Sequence, residues 1–191
     1  MREKLLLIGA GSFGRVVLEH AESKYDCAFL DDGHEIGAFV DGIPVVGKIE
    51  DLGQYFPEYQ LLLVTIGNSK LRQTVYEKAK DIGYSFPNII VPSAYISPRA
   101  TIGDGVIILN NAVVQNHATI GSGTILNPGV EAHQDSSIGK CCLIYTNSVV
   151  RSLAELGDRV SVGSTVTIST GAKVPDDEII PDGSVFKAKQ E

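Results

Sequence analysis

Residues 129–139 read GVEAHQDSSIG and place an imidazole, an amide and a carboxylate side by side at His133, Gln134 and Asp135. Histidine titrates near neutral pH, so it can take a proton from an attacking amine or hydroxyl, and an adjacent acid can orient its ring. Glutamine can hydrogen-bond a substrate but has no usable pKa as a base. The stretch has the parts of a general-base site.

A second set of residues lies near the N-terminus. Gly9, Gly11 and Gly14 in GAGSFG fit the G-x-G-x-x-G spacing between an apolar run, KLLLI, and a helical pattern, SFGRVVLEHAES. Such a turn lets backbone approach a ligand and aims a helix N-terminus at phosphate, although it can equally be a structural turn. Asp31 and Asp32 end the next apolar run, about 20 residues on, where an acid can meet a ribose hydroxyl. On spacing alone the expected ligand is a nucleotide such as NAD. No His/Cys set has metal-ligand spacing, so no metal is expected.

The elements that must position these groups divide the chain in two, 1–85 and 86–191. The first part alternates strand candidates (KLLLI, CAFLDD, IPVVG, LLLVTI) with helices. The first helix is SFGRVVLEHAES, with Val16, Val17 and His20 near one face. The second is SKLRQTVYEKAKDIG, with Ser69 as a cap and Gly83 just past its end. Strands alternating with helices predict a small Rossmann-like α/β domain with a covered parallel sheet.

The second part has a period of six. Every sixth residue from Ile96 to Ile180 is aliphatic, fifteen positions in a row; at 43% apolar residues, chance gives this about a few times in a million. The fifth residue of each hexad is small everywhere except Glu178, which suits a tight corner. This predicts a parallel β-helix of about five coils. Gly103, Gly121, Gly139 and Gly157 recur every 18 residues, so three hexads make one triangular coil. Residues 18 apart then stack one strand spacing, about 4.8 Å, from each other. His117 and Asp135 fall at one corner, which makes His117 a second candidate base.

A net charge of −7 and a pI near 5.1 argue against nucleic acid or an anionic membrane as partner. No apolar run approaches the roughly 18 residues that span a bilayer. The apolar core of MREKLLLIGAG is too short for a signal peptide. Cys27, Cys141 and Cys142 are an odd number with two adjacent, which fits reduced thiols in a cytoplasm.

The hexads resemble the left-handed β-helix of hexapeptide-repeat acyltransferases. With LLLIGAGSFGRVV and AFLDD in front, the chain resembles the NeuD/PglD family of sugar acetyltransferases of bacterial surface-glycan pathways. The resemblance implies a homotrimer with active sites between neighbouring β-helices and acetyl-CoA as co-substrate. It also implies a UDP-sugar, rather than NAD, at the Gly11-Ser12-Phe13 turn, Asp31-Asp32 and the Gly67-Asn68 turn; Phe13 stands where relatives carry His. The family's catalytic hexad reads roughly I-E-H-D-C. Counting back from Ile138-Gly139 puts Ala132 in the core position, His133 in the family's Glu slot, Gln134 in its His slot and Asp135 in its acid slot. Asn127 matches a family Asn. The coenzyme would run near Leu143, Gly163 and Ser164, with Lys187 and Lys189 near its phosphates.

Three readings of the base stay open: His133, His117, or no base at all in a nucleotide-sugar-binding homologue. An NAD-dependent enzyme is disfavoured because the second half is a solenoid.

Overall fold

The computed structural model describes residues 2–188 and forms two compact units that divide between Ile89 and Ile90. The division falls beyond residue 85 because Phe86 stacks on Tyr76 (ring centroids 4.1 Å apart) and Ser85 bridges to Leu61.

In the first unit β1 (Lys4–Ile8), β2 (Asp26–Leu30), β4 (Ile43–Gly47) and β5 (Leu61–Val64) are parallel, and β3 (Phe39–Val40) pairs antiparallel with β4. The strand order is β3-β4-β2-β1-β5. Leu5 to Ile8 are wholly buried, as expected for a central strand of a sheet covered on both faces. Helix α1 (Ser12–Ala21) buries Gly14, Val17, Leu18 and Ala21. Val16, expected on that face, is 39% exposed, because the 3.6-residue period puts it beside the buried stripe.

A one-turn helix, α2 (Leu52–Tyr55), follows β4. Helix α3 (Ser69–Ile82) is capped by Asn68, whose side chain accepts from the Leu71 N–H; Ser69, expected as the cap, is the first helical residue. Gly83 ends α3 in the left-handed conformation, as its position predicts. Arg72 of α3 is fully buried and donates to the carbonyls of Ile66 and Gly67 and to Ser69 Oγ, which fixes the turn leaving β5.

The second unit is the β-helix. Two-residue strands recur every six residues from Ile89–Ile90 to Val185–Phe186 and stack into three parallel sheets with an 18-residue register, such as Val114↔Ala132 and Ala132↔Val150. The aliphatic hexad residues form one continuous core. Each corner carries a residue of positive φ, every sixth position from Gly105 to Gly183. Gly, Asn and Asp tolerate that conformation, but His117, Cys141, Leu153, Arg159 and Thr165 are also held in it, so stacking overrides local preference there. Small hydroxyl residues before the strands satisfy corner carbonyls: Thr124 Oγ1 donates to the Gly139 carbonyl (2.7 Å) and Ser148 Oγ to that of Gly163 (2.6 Å).

Candidate active site

The N-terminal site grows from the C-terminal ends of β1 and β2. The chain leaves β1 through Gly9, whose φ of +104° favours glycine. A Cβ on Gly14 would sit 2.0 Å from the Gly9 carbonyl oxygen, so α1 can cross this close only with glycine there. A Cβ on Gly11 would meet nothing within 4 Å; nothing in the chain demands glycine at that position.

Asp31, expected to face a ribose, is bound inward. Its Oδ2 accepts the Ala10 N–H (2.7 Å), and its Oδ1 accepts the N–H groups of Gly33 (2.8 Å) and His34 (3.0 Å) and the His34 ring nitrogen Nδ1 (2.7 Å). Burial pushes this carboxyl up, but the hydrogen bonds from Ala10, the His34 ring and Gly33 prevail and hold it below its ordinary value. Asp32 Oδ1 accepts the Ile49 N–H (3.0 Å). Lys48 Nζ donates to the carbonyls of Asp32 (3.2 Å) and His34 from the other side of the loop. The loop is thus tied from within and without.

A cleft of about 440 Å³ opens here, lined by Ala10, Gly11, Ser12, Arg15, His34, Phe39, Val40 and Asp41. Arg15 and Asp41 pair across its wall through two hydrogen bonds of 2.7 and 3.1 Å. Of the residues expected from the sequence, Gly11 and Ser12 line the cleft. Gly9, Phe13, Asp31, Asp32, Gly67 and Asn68 do not.

In the β-helix, His133 opens the corner that follows Glu131–Ala132. Its Nε2 lies 3.0 Å from Glu131 Oε2, and the ring is 25% exposed. The partner is therefore Glu131 and not Asp135. Residues two apart on a strand face the same side, whereas Asp135 has already turned away in the left-handed conformation (φ 59°) and is exposed. Gln134 is exposed, and its N–H donates to Gln115 Oε1 (3.1 Å). His117 sits one coil from Asp135 as the 18-residue count predicts, but it is exposed, and among the described residues no hydrogen bond or ion pair joins the two. His133 is the one histidine of this unit, among the described residues, that a carboxylate holds.

Asn127 lies at the preceding corner, where its side-chain amide donates to the Ile144 carbonyl (3.0 Å). Gly163 and Ser164 share that corner, two coils on. They line a second cleft of about 430 Å³ with Tyr145, Ser161, Ile179, Ile180, Pro181 and Asp182. Leu143 is buried and lies outside its lining. Within one chain, then, Asn127, Gly163 and Ser164 are at one end of a β-helix face and His133 is at the other. Lys187 is exposed; Lys189 lies outside the described residues. Among the described residues no group of three or more His, Cys, Asp or Glu could hold a metal ion, and no helix is long and apolar enough to cross a membrane.

Residues 4–79 match the PglD N-terminal domain family, and residues 89–133 match the bacterial transferase hexapeptide (six repeats) family. The first unit thus matches a PglD-type domain, and the second begins with matched hexapeptide repeats wound into the β-helix.

The acetyltransferase domain of PglB from Neisseria gonorrhoeae shares this two-unit fold (28% identity, 100% of this chain and 94% of that one, TM-score 0.93) and has also been solved in complex with acetyl coenzyme A. PerB from Caulobacter crescentus, solved in complex with CoA and GDP-perosamine, is 28% identical over 97% of this chain and 91% of that one, with a TM-score of 0.88. UDP-N-acetylbacillosamine N-acetyltransferase from Bacillus subtilis is 30% identical over 114 residues, 56% of this chain. The match spans 51% of that protein, about half the length of this curated relative.

Three residues at these candidate sites carry no role in the sequence reading, where His34 is a loop residue. Glu131 was legible from strand alternation. In the PglD-type unit, His34 and Lys48 belong to irregular segments, where no period announces a partner.

Proposed function

We propose that the protein transfers an acetyl group from acetyl-CoA to an amino group, or alternatively a hydroxyl, of a nucleotide-linked sugar in surface-glycan synthesis, in the cytoplasm. The observation that carries this reading is the His133–Glu131 pair, set in a β-helix whose relatives bind CoA and a nucleotide sugar. An ionised carboxylate only accepts, so the ring donates Nε2–H to Glu131 and keeps the lone pair on Nδ1. Nδ1 takes the proton as the acceptor nitrogen attacks the thioester carbonyl, and it returns that proton to the departing thiolate. No covalent enzyme intermediate is required.

The cleft at Gly163 and Ser164 supplies backbone and apolar surface for the coenzyme arm. It lies a full face away from His133, so the reading includes a homotrimer in which a neighbouring copy brings that cleft against the His133 corner.

The competing reading, a nucleotide-sugar-binding protein without turnover, is favoured by Gln134 in the family's histidine slot. Thiol release from acetyl-CoA with a panel of UDP- and GDP-linked amino sugars separates the two. The expected outcome is turnover by the wild-type chain that requires an amino sugar. An inert wild type alongside an active Gln134→His variant would leave the binding protein.

A further inference from the structure

Asp31, the first of the two acids that a dinucleotide-type turn would offer to a ribose, is turned inward. Asp31 has both oxygens engaged, Oδ2 by Ala10 and Oδ1 by Gly33 and His34. It fixes an imidazole at the wall of the cleft. With Nδ1–H donated to Asp31, the neutral ring carries its lone pair on Nε2, and Nε2 has no protein partner among the described residues. Lys48 clamps the His34 carbonyl from outside, so the ring is held before any ligand arrives. Beside it Phe39 is 71% exposed and lines the same cleft. An aromatic face left open next to a fixed acceptor suits a flat, partly apolar group that carries O–H or N–H donors.

We propose that His34, held by Asp31, reads the nucleoside of the sugar nucleotide: Nε2 accepts a hydrogen bond from a ribose hydroxyl or a ring N–H, and the base lies against Phe39. This rests on the nucleotide-linked sugar of the proposed function. The carboxylate at Asp31 thereby acts through the histidine and does not touch the ligand. Phosphates fall to the other side of the cleft, where Gly11 and Ser12 open α1 and where Arg15 now pairs with Asp41.

The test is isothermal titration of the full chain with UDP, 2′-deoxy-UDP, GDP and inorganic pyrophosphate, for wild type, His34→Ala and His34→Gln. The expected result is tight binding of UDP or GDP by wild type, at least tenfold weaker binding by His34→Ala, and recovery of most of the loss in His34→Gln, which keeps an acceptor. Pyrophosphate binding stays the same in all three. If wild type prefers UDP to 2′-deoxy-UDP and His34→Ala does not, the donor is the 2′-hydroxyl; if neither distinguishes them, it is another hydroxyl or a base N–H. Equal affinity of His34→Ala and wild type for the nucleotide overturns the role of His34 while the proposed function stands. A wild type that binds no nucleotide overturns both. His34→Gln, with its thermal unfolding matched to wild type, keeps a loosened loop from imitating a lost contact.

Discussion

Replacing His133 with alanine is expected to lower kcat for acetyl transfer by roughly 10²- to 10⁴-fold, the range for loss of a positioned general base. At 1.36 kcal/mol per decade this is about 3–5 kcal/mol of transition-state stabilisation. KM for both substrates should change little, because the proton moves only as the new bond forms. His117→Ala should leave kcat near wild type, since His117 is exposed and no carboxylate among the described residues holds it. Glu131→Gln should fall between: its amide oxygen still accepts from Nε2–H, but the negative charge that steadies the imidazolium is gone. Steady-state kinetics by thiol release read all three. An unimpaired His133→Ala enzyme would remove the dyad from the chemistry.

The second large effect concerns the scaffold. A Cβ on Gly139 would lie 2.3 Å from the Gly157 carbonyl oxygen, 2.5 Å from its carbon and 2.6 Å from Asp158 Oδ1. None of the backbone can yield easily, because Gly139 N–H donates to Leu156 (3.0 Å) and Gly157 N–H to Val174 (2.9 Å), and these bonds hold successive coils together. Gly139→Ala should therefore cost about 3 kcal/mol or more, at the upper end of overpacking costs. For a chain of this length that is a fall in Tm of roughly 6–12 °C. Gly11→Ala is the control: its φ is −69° and the space around it is open, so its Tm should match wild type. Thermal unfolding followed by circular dichroism gives both values. A Gly139→Ala protein as stable as wild type would mean that the coils can separate at this corner.

The same glycine shows how much of the fold is legible in the sequence. Its 18-residue recurrence marks the triangular coil, and the observed contacts supply the reason: at each level one backbone lies against the next. The aliphatic hexads are legible because one narrow core admits one kind of residue at one position. A further signal stands three residues after each core position, where Gly, Asn or Asp occupies nine of the fourteen positive-φ corners from Gly105 to Gly183.

The candidate site is less legible, because its pairings depend on which way a side chain faces. Counting hexads places His133, Gln134 and Asp135 correctly at a corner but pairs the histidine with the wrong acid. The two-residue strand makes Glu131 its neighbour, and the left-handed turn removes Asp135. Asp31 likewise stands at the end of β2, but its hydrogen-bond partners come from the turn after β1 and from its own loop, which the sequence pattern does not announce.

The central claim is that the base of this protein stands at residue 133, one place before the family's histidine slot. Exchanging the two side chains, His133→Gln with Gln134→His, tests it most directly. The same two groups remain in the same corner, but the histidine can no longer share a side of the strand with Glu131. The account predicts that acetyl transfer by the exchanged protein falls to the level of His133→Ala. Activity equal to or above wild type would contradict it and place the base at residue 134.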